Sequence, residues 1–149
     1  MPFVQGGDFT YKAQEAMMLA QKAAKERHQQ QVDALHLLFA LLTQEDSIVI
    51  NLLKNLEVDI DDLKKKTDRA ITQLPTVNAQ QPQAIGQFYL TQDMAQTLES
   101  ARQEATEMGD DFVSIEHLFL AILSTSTRAL DVLQRVKFMS QVVALPLNK

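Results

Sequence analysis

A chain of 149 residues with 46% hydrophobic content can bury a core as a single domain without covalent staples. It has no cysteine, which excludes disulfides and thiol chemistry, and its net charge of −5 argues against a nucleic-acid surface, where phosphates require clustered Lys and Arg. The start, Met1 to Asp8, has neither the basic nor the apolar region of a signal peptide, and the longest apolar stretch, Ala34 to Leu42, is too short to span a bilayer. The expectation is a cytoplasmic protein with neither a nucleic-acid nor a membrane partner.

In chain order, Phe9, Ala13, Ala16, Met17, Ala20 and Ala24 recur at helical spacing, with Asp8 or Thr10 as N-cap and His28 near the end. Asp33 opens a second helix that is apolar nearly all round from Leu35 to Leu42, the pattern of a central, buried helix. A short third helix is predicted around Ser47 to Leu56. Asp59 caps a fourth, whose stripe of Ile60, Leu63, Thr67, Ala70, Ile71 and Leu74 runs to Pro75. Its run Lys64-Lys65-Lys66 follows Asp59, Asp61 and Asp62, the order a helix dipole favours, and reads as a solvated face. Residues 75–87 are a polar linker. Thr91 then caps a helix with the stripe Met94, Leu98, Ala101 and Ala105, which ends at Gly109. Ser114 caps a second buried helix, and Thr127 to Phe138 predicts a third. The tail, 139–149, stands where a fourth would come, but Pro146 blocks its continuation. No segment alternates as a strand does, so the fold class is all-α.

The chain repeats itself. Shifted by 81 positions without a gap, residues 9–43 match 90–124 at nine identical pairs: Thr10/Thr91, Ala20/Ala101, Ala24/Ala105, Glu26/Glu107, Val32/Val113, His36/His117, Leu37/Leu118, Ala40/Ala121 and Leu42/Leu123. Chance gives roughly two or three at ordinary composition. The chain therefore reads as a single domain of two similar units, repeat one at about 8–74 and repeat two at about 88–138, with a divergent tail.

Candidate chemistry is sparse. No Gly-x-x-x-x-Gly-Lys-Ser/Thr loop is present, and four glycines in all leave little for a phosphate cradle. There is no Gly-x-Ser-x-Gly elbow. Glu116 and His117 are adjacent, so on a helix they point about 100° apart and cannot share a metal as a Glu-x-x-His pair does. His36 and His117 can converge on a metal or, more simply, satisfy partners near the start of each buried helix. Catalytic, metal and cofactor roles are expected for no residue of this chain. Thr10 and Thr91 have capping as their default role. Asp110 and Glu116, where repeat one has Gln29 and Leu35, are either turn and dipole residues or the asymmetry on which a function rests.

Several of these motifs together are similar to a known family. Phe9-Thr10-x-Lys12-Ala13, Leu74-Pro75-Thr76-Val77, Tyr89-Leu90-Thr91-Gln92-Asp93-Met94 and Gly109-Asp110-Asp111-Phe112-Val113-Ser114-Ile115-Glu116-His117-Leu118 resemble the Clp N-terminal domain, the duplicated module that precedes the ATPase rings of Clp chaperones and proteases. The Leu-Pro-x-Val element resembles the ClpB branch, the disaggregases. The resemblance implies about eight helices in two four-helix repeats about a pseudo-twofold axis. It implies capture of unfolded or aggregated polypeptide in an apolar groove, for hand-off to the ATPase modules, which carry ATP and Mg while this domain carries no cofactor. By motif position it assigns the partner site to Thr10, Asp110 and Glu116; the apolar part of the groove is expected to be lined by Met94 and Leu98 and flanked by Leu90 and Phe9. An adaptor-binding regulatory module of the ClpA or ClpC kind, or a stand-alone domain, is the alternative. Two departures stand out: Leu35 where the family usually has glutamate, and a tail unlike the family's last helix.

Overall fold

The computed structural model describes residues 9–76 and 88–136. Repeat one comprises α1 (Tyr11–Glu26), β1 (Gln31–Val32), α2 (Ala34–Thr43), α3 (Ile48–Asn55) and α4 (Ile60–Ile71). Repeat two comprises β2 (Tyr89–Leu90), α5 (Gln92–Glu107), α6 (Ile115–Ser124) and α7 (Arg128–Gln134). The expected fourth helix of repeat two, most of the linker and Val77 of the Leu-Pro-x-Val element lie outside the described residues. The helix expected from Thr127 to Phe138 ends at Gln134, and Phe138 too is outside them.

Short polar side chains start the helices by taking up N–H groups that have no partner within the helix. Thr10 Oγ1 accepts from Ala13 N at 3.1 Å, and its counterpart Thr91 Oγ1 accepts from Met94 N at 3.1 Å. Of the two candidates for the first cap, the structure uses Thr10. Ser47, Asp59 and Thr127 cap α3, α4 and α7 in the same way. At the far ends, α1 and α5 close with equivalent bonds: Gln29 N to Ala24 O, and Asp110 N to Ala105 O, each 2.9 Å. The intervening residue is left-handed in both repeats, Gly109 at φ 76° and His28 at φ 56°.

α2 and α6 form the centre. Leu35, Leu37, Leu38 and Leu41 of α2 and Leu118 and Ile122 of α6 are fully buried. The two helices contact each other; α1 packs on α2 as α5 packs on α6, and α3 meets α6 as α7 meets α2. This reciprocity is the pseudo-twofold relation in packing terms. α4 lies against α2 and α7, and Arg27 ties α1 to it, donating to Asp68 Oδ1 from Nη2 at 2.6 Å while its guanidinium lies over the Phe39 ring.

The helical reading holds, with one addition that a helical pattern does not announce. Two very short parallel pairings cross between the repeats: Val32 with Leu90, and Phe9 with Val113. Shifting the first by 81 positions and exchanging the repeats produces the second. Thr91 N donates to Val32 O at 3.1 Å and Thr10 N to Val113 O at 3.0 Å, so each repeat's entry chain is stitched to the other's approach to its central helix. Among the described residues no single helix is long and apolar enough to cross a membrane.

Candidate functional site

The bond from Thr10 N to Val113 O brings the start of α1 against the segment between α5 and α6. Asp110 stands three residues before that junction and Glu116 three after it, so the three polar residues assigned by motif flank one place on the surface. Asp110, Asp111 and Glu116 are exposed, and Thr10 is half-buried. The guanidinium of Arg102, on α5, covers the Phe9 ring at 5.5 Å from its centre.

Asp110 is held in position. Gly109 supplies the left-handed residue that ends α5, which turns the chain so that Asp110 Oδ2 meets His117 Nε2 at 2.8 Å. His117 is 3% exposed, and its Nδ1 accepts from Ser114 N at 2.8 Å. With Nδ1 accepting, the ring N–H that points at the carboxylate is on Nε2. Repeat one builds the same device from an amide. His36 Nδ1 accepts from Asp33 N at 2.9 Å, and Nε2 donates to Gln29 Oε1 at 2.7 Å. Burial pushes the His36 pKa down from 6.5 to about 4, a fall that the Asp33 charge opposes and Arg27 reinforces. Gln29 is 3% exposed because the end of α4 covers it, its Nε2 donating to Ile71 O at 2.7 Å. Asp110 remains open to solvent, with its side chain 48% exposed. Both imidazoles thus satisfy local partners, and among the described residues no three His, Asp or Glu side chains converge as metal ligands.

The apolar lining expected at this site needs correction. Met94 is 0%, Leu98 3% and Phe9 2% exposed, and all three belong to the core. Their helical spacing is the inward stripe of α5 and the entry to α1, and a stripe packed on the central helices presents nothing to a partner. Leu90 is half-buried and pairs with Val32 at the pseudo-equivalent junction. Leu35, the repeat-one equivalent of Glu116, is fully buried and serves the core.

The exposed apolar side chains beside Thr10 are different ones. Tyr11, next to it, is 89% exposed, and Phe112, next to Val113, is 49% exposed. From Tyr11 a shallow groove of about 540 Å³ follows α1 past Gln14, Glu15, Met18, Leu19 and Lys22. Met18 is 69% exposed, and Tyr11 and Met18, at i and i+7, share a helix face. The corresponding α5 positions are Gln92 and Glu99, both polar and exposed, so this apolar face belongs to repeat one alone. A signal existed in the sequence: Tyr11 and Met18 are large apolar residues off the Phe9–Ala13–Met17 stripe, and Phe112 follows Gly109-Asp110-Asp111 in a turn.

Known proteins share both the sequence pattern and the fold. Residues 8–136 match the Clp repeat (R) N-terminal domain. The chaperone protein ClpB of Bacillus anthracis is 39% identical over 112 residues, which is 75% of this chain and 13% of that protein. ClpB of Bacteroides thetaiotaomicron is 29% identical over 127 residues, 85% of this chain and 14% of its own length. The chain therefore spans only about an eighth of the length of these curated relatives. Among solved structures, the Hsp104 N-terminal domain from Candida albicans superposes with a TM-score of 0.76 at 21% identity, over 91% of this chain and 89% of that one. The N-terminal domain of ClpD from Arabidopsis thaliana gives 0.69 at 19% identity, over 97% and 95%. The duplicated helices, the motifs around Thr10 and Asp110 and the family match agree: this chain belongs to the Clp repeat N-terminal domain family.

Proposed function

We propose that this domain captures stretches of unfolded or aggregated polypeptide on the surface around Thr10 and passes them to the ATPase modules of a ClpB-type chaperone. The observation that carries the reading is the Thr10–Val113 junction, where exposed Tyr11 and Phe112 stand beside the exposed carboxylates Asp110 and Glu116. Apolar side chains already in water bind apolar client segments without opening the core. Met18 extends that area with a side chain that repacks around different partners. The carboxylates favour clients with a basic residue beside the apolar anchor and repel acidic ones. A surface this open binds weakly and promiscuously, which suits a client that has to be released onward. Catalysis has no part in this role.

The test is the affinity of a fluorescent, permanently unfolded model protein for the purified domain. Binding in the micromolar range or weaker is expected, reduced severalfold by Thr10→Ala, Asp110→Ala or Glu116→Ala with helicity retained. Undiminished binding in all three variants removes the site. Capture of one folded partner, with no affinity for the unfolded protein, points to adaptor recognition instead.

A further inference from the structure

A second surface lies away from that junction, where α4 packs on α7. A cleft of about 600 Å³ between them is lined by Lys66, Arg69, Ala70 and Gln73 on one wall and Arg128, Asp131, Val132 and Arg135 on the other. The wall spacings are regular. Lys66, Arg69 and Gln73 stand at i, i+3 and i+7, and Arg128 and Arg135 at i and i+7, so each helix turns one polar row towards the other. Four cations line the cleft against the single carboxylate of Asp131; with one of the four compensated from outside the lining, two positive charges remain, in a chain whose net charge is −5. Lys66 pairs with Asp62. The three arginines have no carboxylate within ion-pair distance among the described residues, although Arg27 finds Asp68 on the same α4 helix.

Arg128 is the informative member. It is the first residue of α7, the end where the helix dipole disfavours a cation. Local helix stability therefore does not explain it, and neither does pairing. Concentrating like charge around the half-buried Ala70 raises the positive potential of the cleft.

We propose that this cleft is a docking site for a short acidic segment of a partner protein, with carboxylates on the arginine rows and an apolar residue against the half-buried Ala70. Two turns of helix separate Arg128 from Arg135, about 10 Å, which an extended peptide covers in about three residues. Carboxylates two or three positions apart therefore reach both ends of the row, and Arg binds each through charge-assisted hydrogen bonds. Nucleic acid fits less well: among the described residues no aromatic side chain lines the cleft to stack a base. Residues 137–149 of the chain contain Lys137 and Lys149 and neither Asp nor Glu, so that segment is not the charge complement.

The experiment measures binding of a fluorescein-labelled eight-residue peptide of alternating Glu and Leu to the purified chain at low salt. The comparisons are the same peptide with Gln for Glu and an oligothymidylate. Arg128→Glu is set against Lys54→Glu, which makes the same change in net charge at an exposed position of α3 outside both the cleft and the α1 groove. The acidic peptide is expected to bind at least about tenfold more tightly than the Gln peptide, with affinity that falls as salt rises. Arg128→Glu should reduce this at least about tenfold while raising the unfolding midpoint, because a carboxylate suits the start of α7. Lys54→Glu should change it less than about twofold. Equal binding of the Gln peptide, equal loss in both variants, or no binding at low salt overturns the proposal. So does tighter binding of the oligothymidylate that Arg128→Glu abolishes. If Arg128→Glu fails to fold, Arg69→Gln set against Lys54→Gln provides a comparison matched in charge. Binding of unfolded protein at the Thr10 surface should be unchanged in these variants, so the two sites are tested separately.

Discussion

Asp110 Oδ2 lies 2.8 Å from His117 Nε2, and in the other repeat Gln29 Oε1 lies 2.7 Å from His36 Nε2. One position, duplicated, holds a buried histidine with a solvent-facing carboxylate in one copy and a covered amide in the other. The stability of the two positions should therefore differ. Gln29→Ala removes buried bonds to His36 and to the Ile71 and Leu74 carbonyls, and is expected to cost about 2–3 kcal/mol. Asp110→Ala leaves a site that water reaches and should cost about 1 kcal/mol. Asp110→Asn, which keeps an acceptor oxygen as Gln29 does, should cost less than about 0.5 kcal/mol. Urea unfolding of the three variants checks the order.

His36 makes stability depend on pH in a defined direction. Its folded pKa, about 4, lies below the ordinary 6.5, so between these values the unfolded chain binds the additional proton. This contribution is complete above about pH 6.5 and is lost as pH falls towards 4. At pH 5 the loss relative to pH 7 is about 2 kcal/mol, readable as a lower urea midpoint. A midpoint that rose on acidification over this range would contradict the assignment of a neutral, buried His36.

Two residues other than glycine occupy left-handed helix ends: His28 at φ 56° and Glu57 at φ 61°. Repeat two uses Gly109 at the position equivalent to His28. Replacing either residue by glycine removes a steric penalty of about 1 kcal/mol, partly offset by the greater freedom of glycine in the unfolded chain. His28→Gly and Glu57→Gly should each raise the thermal midpoint by about one to two degrees. Gly109→Ala should lower it, although a methyl group there has open space around it, because the cost is in the backbone.

Most of the fold was legible because its determinants are local. Thr10, Asp33, Ser47, Asp59, Thr91 and Thr127 mark helix starts by side-chain chemistry that acts over three residues. The pairing of His36 with His117 could be read from the duplication alone. The crossed pairings of Phe9 with Val113 and of Val32 with Leu90 could not, since two-residue strands are too short to alternate. The apolar part of the site was misread for a related reason. Periodicity says that Met94 and Leu98 share a face, and a regular apolar face is the one a bundle buries. Exposure is signalled by apolar residues that break the period, as Tyr11, Met18 and Phe112 do.

Client capture on the face beside Thr10 is tested most directly by giving α1 the residues that α5 carries at the same positions. The double substitution Tyr11→Gln and Met18→Glu replaces two exposed side chains, so the unfolding midpoint should stay within a degree or two. The affinity for a permanently unfolded protein is predicted to fall at least about tenfold, the effect of losing roughly 1.4 kcal/mol of apolar contact. Full affinity in this folded variant would contradict the account.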